Sequence, residues 1–520
     1  MNRDDFEPEV ELEDALDPLD IVEQDVSEDL GRVLAEIRMS EPSAGEETDD
    51  DETDVPPLED GVLAMSEPSG SMGEPSDVGA RYEQIEAAIL SRAPEHKVQP
   101  SLERVQMALN ILGDPQNTYR SVHITGTNGK TSTARMVSAL LRASGRKVGR
   151  FTSPHLTSMR ERISINDEPI SVENFVTAFD DVAPYLDMVD AHSARHDNPR
   201  MSFFEILTVT ALSYFADLPV DAAVIEVGMG GTWDATNTIS ADVAVIAPIS
   251  IDHERWLGHS LIEIATEKAG IIKPGAIVIS AAQEPEVLDI IRSRAREVGA
   301  IVRVLGEDIR LIDRQLGVGG QLVTISTPAA QYSDIFVPLL GAHQADNAAL
   351  ALAAMEAFNG GRALDPVIVE EGFASTTSPG RLEIVRSSPS IVVDSAHNTH
   401  GASALARALT DSFDYTHIVG VYSAMADKNV EAVLAELEPV LEEVVVTTMN
   451  SPRAMELSEL EAIARDVFGE DRVRAERKLI DAVDTAVELS ESHGDPAASN
   501  GVVIFGSVVL AGQARDLIGE

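Results

Sequence analysis

An apolar strand, a glycine turn and a Lys-Thr-Ser run that opens a helix follow one another in SVHITGTNGKTST, residues 121–133. Gly126 and Gly129 let the backbone turn tightly enough for its N–H groups to face phosphate oxygens. Lys130 adds a point charge, and Thr131 or Ser132 offers a hydroxyl to Mg²⁺. The segment is shorter than the general G-x-x-x-x-G-K-[ST] loop, whose first glycine would fall at Ile124. A strand–loop–helix of this kind implies a sheet whose strands run parallel, with ligands at their carboxyl ends. A ligand-free glycine turn is the plainer alternative, but a lysine and two hydroxyl residues follow it at once.

The rest of the chain carries the alternation that such a sheet needs. Apolar strands are predicted at Val122–Thr125, Val148–Phe151, Ala222–Glu226, Val243–Pro248, Ile277–Ala281 and Ile301–Leu305. Helical patterns at Ser132–Ala143, Phe203–Phe215 and Pro285–Val298 separate them. Residues 309–340 read as short strands with Gly/Pro turns, and an alanine-rich helix is predicted at Asn347–Phe358. A linker at Ser375–Gly380 precedes a second alternation, with strands at Ile391–Asp394, His417–Tyr422, Glu443–Thr447 and Val502–Phe505. The expected fold is therefore α/β: an N-terminal P-loop-type wound, mostly parallel sheet domain over 81–376, and a smaller C-terminal Rossmann-like α/β domain over 381–520.

Before them lies an acidic tail, residues 1–80, with 27 acidic and three basic residues, about half of the chain's net charge of −49. It has too little apolar surface to offset its ordering entropy and is expected to be disordered. A short amphipathic helix over Ile21–Met39 is one local exception. A surface this acidic argues against nucleic acid. No apolar run of about eighteen residues predicts a membrane span. The chain has no cysteine and no secretory leader pattern, so a cytoplasmic protein is expected.

Several polar residues stand at predicted strand ends. Glu226 closes one strand and could ligate Mg²⁺ directly or through water. Asp252-His253 follows another, and Ser153-Pro154-His155 a third, where the serine hydroxyl is a hard oxygen donor. Lys268 reads most simply as a cation near a helix C-terminus or a partner of Glu267. In the second domain Asp394-Ser395-Ala396-His397-Asn398 and Asp427-Lys428 follow strands, which points to an active site between two domains.

Together these segments resemble the Mur-ligase superfamily, and within it the folylpolyglutamate synthase/dihydrofolate synthase family. The resemblance rests on HITGTNGKTS, FTSPHL, EVGMGGTWDATN, ISIDHERWLGHSLIEIATEKAGIIKPG, GAHQADNAALALAA, SPGRLEIV, VVDSAHNTHGA and FGSVVLAGQAR, in the family's order over about 430 residues from near Arg81. It implies that Gly126, Thr127, Asn128, Gly129, Lys130, Thr131 and Ser132 hold ATP, with Asn347, Arg381 and Asp394 as further contacts. It implies Mg²⁺, in two sites, ligated by Thr131, Ser153, Glu226 and His253, and carbamylation of Lys268. His397 is placed near the glutamate or the γ-phosphate, with Lys130 and Lys268 as the other catalytic groups. Ser202, Phe203, Phe204 and Glu205, with Trp233, Asp234 and Ala235, match the lining of a pterin-type pocket, as does Pro100–Leu102. The family commonly has Gly-Gly-Arg-Leu-Asp-Ala around Gly231–Ala235, so its arginine is missing here. Ser395 and Asn429 replace a common glycine and aspartate.

The implied activity is ATP-dependent ligation of L-glutamate to a folate-type carboxylate through an acyl phosphate, with tetrahydrofolate or dihydropteroate as acceptor and a monomer as the working form. A cell-wall Mur-type amino-acid ligase is the nearest alternative, but it needs a nucleotide-binding N-terminal domain that the acidic tail cannot form. A non-catalytic ATP-binding switch would give Glu226, His253, Lys268 and the Asp394–His397 cluster no reason to occur together.

Overall fold

The computed structural model describes residues 77–94, 101–492 and 499–519. The acidic tail up to residue 76, its Ile21–Met39 helix and Pro100 lie outside the described residues. The first described helix is Asp77–Leu90, so Asp77–Ala80 belongs to it rather than to the tail. Asp77 sits in its first turn, where a carboxylate complements the helix dipole.

The larger sheet has eight strands: β1 (Arg120–Thr125), β2 (Val148–Phe151), β3 (Ile163–Ile165), β4 (Glu168–Pro169), β5 (Ala222–Glu226), β6 (Val243–Ile246), β7 (Ile277–Ser280) and β8 (Ile301–Val304). Their order is β4-β3-β2-β5-β1-β6-β7-β8. From β2 to β8 all pairings are parallel. Only the short β3 and β4 at one edge run antiparallel. The central strands β5 and β6 are buried throughout, as sheets covered on both faces require. The register sets Ile124 opposite Glu226 on one side and Val245 on the other. The loops after β1, β5 and β6 therefore emerge side by side.

Three antiparallel strands, β9 (Arg310–Gly317), β10 (Gly320–Ser326) and β11 (Gln331–Val337), form a separate small sheet. The helix Ala342–Phe358 shares one core with it, with the helix Lys130–Ala143 and with the large sheet. Its alanines explain how it fits: Ala348, Ala349, Ala351 and Ala354 are fully buried, and an all-round apolar helix is an interior helix.

The last sheet comprises β12 (Glu383–Ser387), β13 (Ser390–Val393), β14 (His417–Tyr422), β15 (Glu443–Thr447), β16 (Val473–Glu476) and β17 (Asn500–Phe505), in the order β12-β13-β17-β14-β15-β16. All pairings but β12–β13 are parallel. Separate apolar cores lie on its two faces. This is the expected smaller α/β sheet. Among the described residues no helix is long and apolar enough to cross a membrane.

Candidate active site

The loop after β1 takes its shape from residues far away in sequence. Gly126 has φ 146°, and a Cβ there would lie 2.7 Å from the Cβ of Ala247, beyond β6. Gly129 has φ 85° and caps the helix Lys130–Ala143; a Cβ there would lie 2.6 Å from Asn347 Oδ1. Both positions thus require glycine on conformation and on space. The Thr127 amide donates to the Pro248 carbonyl at 2.8 Å, and the Asn128 amide reaches the same oxygen at 3.4 Å. These two N–H groups brace the loop against β6 instead of facing into it. The amides of the helix's first turn have no intrahelical acceptor and are the ones positioned for an anion.

Two ammonium groups converge on one carbonyl. Lys130 Nζ donates to Gly126 O and Thr127 O, both at 3.1 Å, and Lys268 Nζ donates to Gly126 O at 2.9 Å. Lys268 is 3% exposed on the helix Leu261–Ala269. Burial, then the neighbouring Lys130 charge, brings its pKa down to about 7. Burial lowers Lys130 as well, against the opposing charges of Glu226 and Asp252.

Glu226 is buried at the end of β5. Its Oε1 accepts from Thr131 Oγ1 at 2.8 Å, and its Oε2 from the Ser153 amide at 3.2 Å. Burial pushes its carboxyl up, and Lys130 and these donors partly offset that. Thr131 and Ser132 are now separable. The Ser132 hydroxyl pairs with Ser378 at 3.0 Å and accepts from Gln344 at 3.3 Å, so only Thr131 presents its hydroxyl beside the carboxylate. Ser153 meets Glu226 through its amide.

His253 follows β6 with φ 52°, a left-handed conformation uncommon for a residue with a side chain. Burial lowers its pKa to about 3, outweighing the attraction of Asp252, which keeps the imidazole neutral and able to donate a lone pair. Among the described residues no three His, Cys, Asp or Glu side chains gather as a metal cage. A carboxylate and a hydroxyl beside a phosphate loop still suit Mg²⁺, which is typically held by one or two carboxylates and by substrate phosphates.

The second domain meets this edge. Asp394 accepts from the amides of Leu382 and Ala396, each at 2.8 Å; burial raises its carboxyl, with Arg381 opposing. Its Oδ2 thereby braces the segment that carries Arg381, and its Oδ1 closes the turn to Ala396. Arg381 itself donates to the Gly380 carbonyl at 3.1 Å. Asn347 Nδ2 donates to Gln344. His397 Nδ1 lies 2.9 Å from Ser395 O, and its Nε2 lies 3.5 Å from Asp252 Oδ2.

The segments expected to line a pterin-type pocket flank the loop that follows Glu226. Phe204 packs so tightly on Gly228 that a Cβ there would lie 2.6 Å from the ring, and it tilts against Phe151 with ring centres 5.7 Å apart. Phe203 lies under the Arg162 guanidinium at 4.9 Å. Ser202 and Glu205 form a reciprocal helix cap, and Arg104 Nη2 reaches Glu205 Oε1 at 2.9 Å. Asp234 accepts from the Met229 and Thr236 amides at 2.8 and 3.0 Å. Glu205 and Asp234 are thus engaged with the scaffold, whereas Phe204 and the half-buried Trp233 offer apolar surface. Ala235 is buried in the turn that Asp234 caps.

Further contacts join the domains at this edge. Asn128 Nδ2 bonds Asn398 Oδ1 at 3.1 Å and lies 2.9 Å from His400 Nδ1. Lys428 Nζ and Asp252 Oδ1 form an ion pair at 2.5 Å. Partners 270 and 176 positions apart leave no local signal in one sequence.

Residues 124–355 match the Mur ligase middle domain, and residues 380–508 the Mur ligase glutamate ligase domain. The chain is 46% identical over 471 residues to a dihydrofolate synthase/folylpolyglutamate synthase of Mycobacterium tuberculosis, covering 87% of this chain and 96% of that one. A Bacillus subtilis protein of the same name is 32% identical over 421 residues, covering 80% and 95%. Among solved structures, M. tuberculosis folylpolyglutamate synthase complexed with ADP superposes with a TM-score of 0.82 at 47% identity, covering 85% of this chain and 99% of that one. An FPGS–AMPPCP–folate complex gives 0.73 at 30% identity, covering 84% and 99%.

Proposed function

Because the chain belongs to the folylpolyglutamate synthase/dihydrofolate synthase family of Mur ligases, we propose that it joins L-glutamate to the terminal carboxylate of a folate, using ATP. The observation that carries this reading is the convergence of Lys130 and Lys268 on Gly126 O, beside the buried Glu226–Thr131 pair. A cation, a buried amine and a carboxylate around one phosphate loop suit phosphoryl transfer better than simple nucleotide storage.

A carboxylate resists attack by an amine until one oxygen is made a leaving group. The acceptor carboxylate oxygen attacks the γ-phosphorus of ATP, the bond to the β-bridging oxygen breaks, and ADP leaves. The glutamate amine then adds to the acyl phosphate, loses a proton, and inorganic phosphate departs with the C–O bond electrons. Lys130 and the helix amides after Gly129 hold the phosphoryl oxygens. Glu226, Thr131, Ser153 and His253 are the residues that would hold Mg²⁺, which when bound spreads the charge developing on those oxygens. Arg381, Asp394 and Asn347 orient the nucleotide, and His397 faces the site from the second domain. Phe204 and Trp233 supply flat apolar surface for the pterin-type end. Tetrahydrofolate and dihydropteroate both present a carboxylate on such a molecule, so one site serves both.

Lys268 supports a further element of this reading. An amine with a pKa of about 7 is substantially neutral at physiological pH. A neutral amine adds to CO₂, forming an N–C bond and releasing a proton, and the product carbamate would offer its oxygens to a second Mg²⁺. We place 81–376 as the ATP-holding body and 381–520 as the body that closes over it, in a monomer acting in the cytoplasm, where ATP, glutamate and folates meet.

The test is ADP release and amide formation by the purified chain with ATP, Mg²⁺ and L-glutamate, offering tetrahydrofolate, dihydropteroate or a muramyl nucleotide. A glutamyl amide is expected with a pterin acceptor. Product with the muramyl nucleotide alone would refute the reading.

A further inference from the structure

Asp252 is the point where the two domains are tied together by charge. Its side chain is 8% exposed. One oxygen, Oδ1, accepts from Lys428 Nζ at 2.5 Å and from the amide of His253 at 2.8 Å. The other, Oδ2, accepts from Asn398 Nδ2 at 2.8 Å and lies 3.5 Å from His397 Nε2. Lys428, Asn398 and His397 all come from the second domain. Asn398 in turn exchanges hydrogen bonds with Asn128 of the phosphate loop at 3.1 and 3.2 Å. Thr127 of the same loop pairs through its hydroxyl with Ser250, two residues before Asp252. The contacts therefore close a ring through Asp252, Asn398, the phosphate loop and the 248–252 segment.

We propose that Asp252 is a positioning residue that couples closure of the second domain to assembly of the phosphate site, with Lys428 as the group that neutralises it. This inference rests on the ligase reading above. Two physical consequences follow. First, Asp252 is joined to the phosphate loop through Asn398 on one side and the Ser250–Thr127 pair on the other, so its bare charge would oppose an incoming triphosphate. Pairing with Lys428 cancels that opposition only when the second domain has arrived. Second, the bond from the His253 amide fixes a left-handed backbone at φ 52°. The conformation of the neighbouring imidazole is thus tied to the same carboxylate that receives the second domain. An ordinary interdomain ion pair would add stability to the closed form but would not reach the phosphate loop on both sides.

The test compares Asp252→Asn, Lys428→Met, Lys428→Arg and the Asp252→Asn/Lys428→Met double variant of the full chain. Amide formation gives kcat and KM. Because the chain has no cysteine, a single pair of introduced cysteines, Val318→Cys and Glu470→Cys, carries dyes that report the interdomain distance on adding ATP and Mg²⁺. Lys428→Met should lower kcat about 100-fold, weaken ATP binding, and reduce the closed population, whereas Lys428→Arg should keep closure. Adding Asp252→Asn to Lys428→Met should recover part of the ATP affinity, because it removes the charge left bare. Independent, multiplying effects of the two single changes, or a closed population unchanged in both, would overturn the proposal. The dye signal needs only ATP and Mg²⁺, so an absent glutamyl product would count against the ligase reading without deciding the latch.

Discussion

The carboxyl edges of the two parallel sheets treat their lysines in opposite ways. At the eight-stranded sheet, the half-buried Lys130 and the buried Lys268 donate to carbonyl oxygens. From the edge of the six-stranded sheet, Lys428 reaches a carboxylate at 2.5 Å. A carbonyl carries only a partial charge, so Lys130 keeps most of its pull on an anion, and burial lowers the pKa of both amines. Lys428 is already neutralised by Asp252. An amine resting on carbonyls is held ready for a ligand or for CO₂; a cation resting on a carboxylate holds the protein together. The acids divide in a related manner. Glu226 takes one hydroxyl and one amide, while Asp394 takes two amides and fixes a linker.

Changes at the ligand-facing edge should sharpen that contrast most. Lys130→Ala should lower kcat for amide formation by about 1,000-fold, with a thermal midpoint no lower than wild type, because the fold disfavours its charged form. Glu226→Gln should cost about 100-fold in kcat. Its folded carboxyl is raised above the ordinary value, so the ionised form opposes folding at neutral pH. The variant should therefore melt at the same temperature or higher at pH 7; a clear drop would break the comparison.

A scaffold acid should behave in the reverse sense. Glu205→Ala leaves Arg104 buried without its carboxylate and removes a helix cap. It should cost about 3 kcal/mol in urea unfolding, with a smaller effect on kcat than either change above. The smallest effect is a slope. The folded Lys268 has a pKa of about 7 against 10.5 for the ordinary side chain, so the unfolded chain binds the extra proton between those values. Stability should rise with pH from about 7 to 10.5 in wild type and rise less in Lys268→Met, as followed by denaturant midpoints across that range.

Much of the fold was legible because apolar runs in parallel sheets are nearly continuous. Val148–Phe151, Ala222–Glu226 and the helix Pro285–Val298 have the expected bounds. The strand predicted to Pro248 ends at Ile246, since the residues after it turn to brace the phosphate loop. The alanine-rich helix starts at Ala342, five residues early, because the polar His343, Gln344 and Asp346 hide its first turn. The helix Val172–Arg195 contains Pro184 and many acids, which blur its period, so the sequence carries no clear signal for it. At the site, Lys130, Glu226 and Lys268 could be picked out by chemistry at strand and helix ends. What could not be read was which hydroxyl faces Glu226, or that the Glu205 and Asp234 carboxylates serve the scaffold. Those depend on Ser378, Gln344, Arg104 and Met229, which meet them only after folding.

The glycine loop has one more consequence, for anyone wishing to move it. Its pattern reads as four consecutive letters, Gly126 to Gly129, yet the walls that fit it are Ala247 and Asn347. A recipient scaffold with a bulkier residue than alanine beside the first glycine would push the turn out of shape, and one without room for the Asn347 amide beside the second would tilt the helix start. The portable unit is therefore a loop with two distant side chains, and a graft that carries the letters alone should bind nucleotide poorly.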